Sequence, residues 1–156
     1  MCGTFSFTKM YDRNGAGVQI PKEIRQKVIA ETRGKNAIQI AQYCSRQTCD
    51  LLEFSFDQDK LWQKEVSKAH CVTYSRVCSE LCNLAFLSNN VNASTKVVVG
   101  HLHYGGINLH PIALNILPAK YHRYFKDHDV VELNYNNKTI YIDPTLHDLI
   151  GSAVMM

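Results

Sequence analysis

No run of about 18 apolar residues occurs anywhere in this chain, so no segment qualifies as a membrane-spanning helix. The opening residues also lack the basic, apolar and small-residue succession of a secretory leader. The expectation is a cytoplasmic protein, or one exported without a classical signal peptide. No excess of one charge is present: 17 Lys and Arg face 14 Asp and Glu, for a net charge of +3. That balance lacks the density of a dedicated nucleic-acid binder, charge alone names no partner, and neither nucleic acid nor membrane is expected as one. Internal repeats and low-complexity tracts are absent as well. What remains is ordinary globular material, 46% apolar and 20% charged over 156 residues, sufficient for one core and hence a single domain, 1–156.

Six cysteines are present (Cys2, Cys44, Cys49, Cys71, Cys78, Cys82). A domain of this size does not need disulfides, and most of these positions fall within helical patterns, where a thiol serves as a small buried hydrophobe. A reduced compartment is the expectation. Metal and cofactor are not expected. His101 and His103 alternate on a strand and share one face, but no second ligand pair stands at metal spacing.

Residues 1–19 show no clear period and read as a loose arm or short edge segment. Pro21 opens a helical pattern that Gly34 stops, and a second helix starts near Asn36 and continues into the low fifties. The stretch from Cys71 to about Phe86 carries the strongest stripe: Tyr74, Val77, Cys78, Leu81, Cys82 and Ala85 share one side, and Arg76, Ser79, Glu80 and Asn83 avoid it. Beyond SNNVNAST the period turns extended. TKVVVGHLHY and HPIALNIL read as strands, and VVELNY and KTIYID as a hairpin closed at Asn136 and Asn137. Helices followed by strands predict an α+β domain in which an antiparallel sheet packs on the helix begun by Cys71.

That position gives Cys71 its interest. A free thiol is mostly protonated at neutral pH, whereas the thiolate is the nucleophile, and a helix N-terminus or an imidazolium stabilises it. His110, at the head of an expected strand, is the candidate base, and Asp143, before the stop at Pro144, is the candidate for orienting that imidazole. Asp148, Asp129 and Asn115 are rivals for the orienting role. The Cys71 backbone N–H is one oxyanion donor; Trp62 and Gln63 are weak candidates for a second. His70 is either a modulator of the thiol or an exposed loop residue.

With AHCVTYSRVCSELCNLA, KVVVGHL, HPIALN and YIDPTL in this order, residues 36–148 resemble the transglutaminase-like superfamily, which has a rearranged papain-like fold. The resemblance implies Cys71 as nucleophile, His110 as base and Asp143 as orienting acid. It further implies thiol-dependent acyl transfer on a protein or peptide amide, as in a cysteine protease, amidase or glutamine deamidase. An effector or toxin acting in a reduced cytoplasm, with an inhibitor or immunity protein as partner, fits by analogy. The alternatives are a transglutaminase forming Gln–Lys crosslinks, a non-catalytic binding module and a zinc-binding protein. Two features depart from the family pattern: Pro111 after His110, and a long segment from Ile116 to Asp129. AKYHRYFKDH reads as a surface helix, a substrate-facing lid or, least favoured, a single-stranded nucleic-acid site. Cys2 before Gly3 is discounted as an N-terminal nucleophile.

Overall fold

Asn36 accepts a hydrogen bond from the Gln39 amide while the Gln39 side chain accepts from the Asn36 amide, and this reciprocal cap starts a long buried helix. In the computed structural model, residues 4–55, 61–62, 67–119, 122 and 127–156 are described. The order is β1 (Phe5–Asp12), α1 (Lys22–Glu31), α2 (Ala37–Leu51), β2 (Leu52–Phe54), β3 (Ser67–Ala69), α3 (Cys71–Ser88) and β4 (Ala93–Tyr104). There follow β5 (Ile107–Asn108), α4 (Leu109–Ile116), β6 (His128–Tyr135), β7 (Lys138–Ile142) and α5 (Pro144–Ile150). The architecture is α+β. None of the helices among the described residues is long and apolar enough to cross a membrane.

The main sheet runs β1-β4-β6-β7, with β5 folded back on β4, and every pairing in it is antiparallel. β2 and β3 form a separate parallel pair just ahead of α3. The expected hairpin is present: Asn136 and Asn137 take φ values of 51° and 59°, the left-handed pair that a tight turn between β6 and β7 requires. The described cysteines are free, and Cys44, Cys78 and Cys82 are buried where α2 and α3 meet.

α3 is the central element. Val77, Leu81 and Ala85 are fully buried and join Val131 and Leu133 of β6 and Ile40 and Ala41 of α2 in one core. Each large aliphatic side chain removed from water there contributes about 1.5–3 kcal/mol. Tyr74 is also fully buried, and its hydroxyl donates to Asp148 Oδ2 at 2.8 Å and lies 3.0 Å from the Leu52 carbonyl oxygen. Polar contacts fix the other flank. Thr95 of β4 is bonded to Ser79 and Asn83, so α3 lies on the sheet in one register.

Two expected elements differ. The stretch read as a loose arm or short edge segment holds a full eight-residue edge strand, β1, longer than expected, whose polar side chains alternate with Phe5 and Phe7. HPIALN belongs to α4, not to a strand. Asn108 caps that helix by accepting from the His110 amide at 2.9 Å, and Pro111 sits in the first turn, where its missing N–H costs no ladder bond. Cys2, Gln63 and most of AKYHRYFKDH lie outside the described residues.

Candidate active site

β3 brings the chain to His70 in an extended conformation, and the helix begins at Cys71. The first bond of its ladder runs from the Tyr74 amide to the His70 carbonyl, so the amides of Cys71 and Val72 stand at the positive end of an 18-residue helix. No side chain of His70 caps that end. The geometry favours a negative charge on the sulfur.

The imidazole that reaches the sulfur is His128, the first residue of β6, hydrogen-bonded to the Cys71 side chain. Its Nε2 lies 2.7 Å from Asp143 Oδ2, leaving Nδ1 as the nitrogen that faces Cys71. Asp143 directly follows β7, is completely buried, and divides its carboxylate between two partners: Oδ2 takes His128, and Oδ1 caps α5 by accepting from the Leu146 amide at 2.9 Å. The carboxylate is therefore fixed by the fold before it orients anything. His128 keeps 23% of its side-chain surface exposed.

The electrostatics follow from these contacts. Burial pushes the Cys71 thiol up, but hydrogen bonds from His128 and from His70 more than offset it and bring the thiol down to about 7. Burial works against charge on His128 too; the Asp143 carboxylate and the bond to Cys71 outweigh it and raise the imidazole well above its ordinary value. A thiolate–imidazolium pair near neutral pH is the consequence. Cys49, without such partners, is pushed up by burial to about 12.

Of the three residues expected from sequence, Cys71 and Asp143 meet at one imidazole, and His110 does not take part. His110 lies on α4 with its ring parallel to that of His101, centroids 5.7 Å apart and planes within 6°. Its helix capped at Asn108 carries it along another wall of the site. Two rivals of Asp143 are engaged elsewhere, Asp148 accepting from Tyr74 and Asp129 holding Arg13 through two bonds of 2.6 and 2.7 Å, and the third, Asn115, is exposed on α4. His70 contributes to the thiol and is no mere loop residue. The Trp62 amide donates to Ser67 Oγ at 3.0 Å and is not a spare oxyanion donor.

Cys71, His128 and Asp143 line a cavity of about 420 Å³, whose other walls include Phe54, Leu102, Leu109, Ala113, Leu146 and Leu149. Among the described residues no group of three or more His, Cys, Asp or Glu is arranged to hold a metal ion. His103, the strand partner of His101 in the expected histidine face, bonds to Thr8 Oγ1. Comparison with protein-family models, with curated proteins and with solved structures finds no match for this chain.

Proposed function

We propose that the protein is a cysteine-dependent enzyme that transfers the acyl group of a protein or peptide amide to Cys71 and then to water. The observation that carries this reading is the continuous contact from Cys71 through His128 to Asp143 at the wall of a cavity. The thiolate attacks the amide carbonyl, and the oxyanion forms beside the amide at the head of α3. As the C–N bond breaks, the His128 imidazolium gives its proton to the departing amine and a thioester remains. Water then attacks the thioester and passes a proton to His128; the acid leaves and the thiolate is restored. Asp143 keeps the imidazole in one orientation throughout.

The order of a helix-opening Cys, a His at the head of a strand and an Asp-Pro pair after the next strand supports a transglutaminase-like reading of the fold. In that reading His128 takes the place that the resemblance assigned to His110. Mass spectrometry of candidate protein substrates exposed to wild type and to Cys71→Ala tests the proposal. Peptide cleavage or glutamine-to-glutamate conversion that depends on Cys71 supports it. Isopeptide linkage would redirect the thioester to a lysine amine, and no Cys71-dependent product would reject acyl transfer.

A further inference from the structure

The cavity beside Cys71 has features that the triad does not use. Its walls away from the sulfur are mostly aliphatic and aromatic, with His101 and His110 among them; Leu149 lines it while remaining 66% exposed, and Ile112 and Ile116 stand exposed on α4, the helix that supplies Leu109 and Ala113. Asp127 contributes the one acidic side chain among the described lining residues besides Asp143, and no Lys or Arg is among them. Two polar atoms in this apolar wall are buried without a hydrogen-bond partner, Thr145 Oγ1 and His110 Nδ1, and Thr145 as a whole is only 4% exposed. Orphaned buried polar atoms are costly and uncommon in folded proteins. Two lining residues that carry such atoms, in one ligand-sized cavity beside Cys71, fit a ligand with an apolar body and a hydrogen-bonding group of its own.

We propose that the cavity is an acyl-side specificity pocket: it takes a bulky aliphatic or aromatic side chain next to the attacked carbonyl, and Thr145 Oγ1 and His110 Nδ1 bond the adjoining peptide amide. This rests on the thiolate reading of Cys71. The acyl side is assigned because the group that stays bonded to sulfur needs an enclosing apolar wall, which the cavity supplies, whereas the amine protonated by His128, itself a lining residue partly open to solvent, departs to water. His110 thus has a substrate-binding role in place of the basic one expected from sequence.

The test uses N-benzyloxycarbonyl amino-acid chloromethyl ketones, with the alkylated residue identified by peptide mass spectrometry and iodoacetamide as a small probe that reads the thiolate alone. Leu and Phe probes are expected to alkylate Cys71 about 10–100-fold faster than Glu, Lys or Gln probes, the range that burying one large apolar side chain supports. Leu149→Glu, at an exposed position, should erase that preference. Thr145→Val and His110→Phe, which keep shape and remove the polar atom, should each slow the Leu probe about 2–10-fold. They should have no such effect on a phenylalkyl chloromethyl ketone lacking the amide. Equal rates across the series, or preference for Gln, Glu or Lys, with iodoacetamide still selective for Cys71, would overturn the pocket and leave the triad standing. Iodoacetamide reacting no faster at Cys71 than at Cys49 would remove both.

Discussion

Ser75 donates its hydroxyl to the backbone carbonyl of Asp129 at 2.9 Å, and this buried bond ties the helix that begins at Cys71 to the strand that begins at His128. Ser75 lies one helical turn beyond the sulfur, and Asp129 is the residue next to the imidazole. The bond therefore holds the helix that carries Cys71 and the strand that carries His128 at one separation through the backbone. Ser75→Ala should cost about 1–2 kcal/mol in urea unfolding, the usual value of a lost buried hydroxyl bond. It should also raise the pH midpoint of Cys71 alkylation, since a looser helix–strand junction weakens the bond from His128. A stability loss with an unmoved midpoint would mean that Ser75 holds the core but not the site.

The thiol at about 7 gives the alkylation profile a definite sign. As pH rises through about 7, the thiolate fraction and the iodoacetamide rate rise together; below that value the sulfur is protonated and slow. His128→Ala removes a major lowering influence and leaves the burial that raises the thiol, so the midpoint should move up by more than about one pH unit. At pH 7 Cys71 should react roughly 100-fold or more faster than Cys49, whose thiol stands near 12, even after allowing for the greater nucleophilicity of a more basic thiolate. Residue-resolved mass spectrometry over a pH series measures both.

Asp143 has two roles, and two substitutions separate them. In Asp143→Asn the remaining oxygen can still accept from Leu146, since Asn is as good a helix cap as Asp, but the amide offers the imidazole no charge and favours the wrong tautomer. Turnover should fall by about 10²–10⁴ with little change in unfolding free energy. Asp143→Ala should lose activity to a similar extent and a further ~1 kcal/mol of stability with the cap. An Asn variant retaining near-wild-type kcat would show that the carboxylate serves α5 alone.

Sequence pattern exposed the α+β class and two of the three residues that meet at the candidate site, for identifiable reasons. Cys71 heads an apolar stripe of period 3.6, which burial enforces along α3. Asp143 precedes a proline, which ends a strand whatever the rest of the fold does. His110 misled because HPIALNIL is apolar enough for either a strand or a helix. The deciding signal was local: Asn108 two residues before His110, with Pro111 after it, marks a helix start.

The imidazole that bonds Asp143 and Cys71 lies within reach of the hairpin itself. A turn at Asn136 and Asn137 pairs Val131 with Ile142, and the same register continued outward sets Asp143 opposite Val130 and makes His128 its diagonal neighbour on the same face. VVELNY alone begins two residues past His128 and so does not contain the contact. The β1 edge was less legible, since its exposed polar alternation resembles a loop until β4 is there to pair with it.

Gly100 shows how closely that edge strand is held. It pairs with Lys9, and a Cβ built on it would collide with the Thr8 carbonyl oxygen and come within 2.7 Å of Phe7 Cζ. Backbone cannot yield as the end of a flexible side chain can, so β1 approaches β4 here only because the residue is glycine. The neighbouring pair is Thr8 with His101, whose ring stacks on His110 in the cavity wall, and Gly100 itself lines the cavity. Gly100→Ala should cost about 1–3 kcal/mol in chemical denaturation, in the range of overpacked substitutions. Displacing β1 should also raise amide hydrogen exchange along Phe5–Lys9 well above that in β6. If exchange in β1 stays at the wild-type rate, the strand has absorbed the methyl group and the close approach is not what holds this edge.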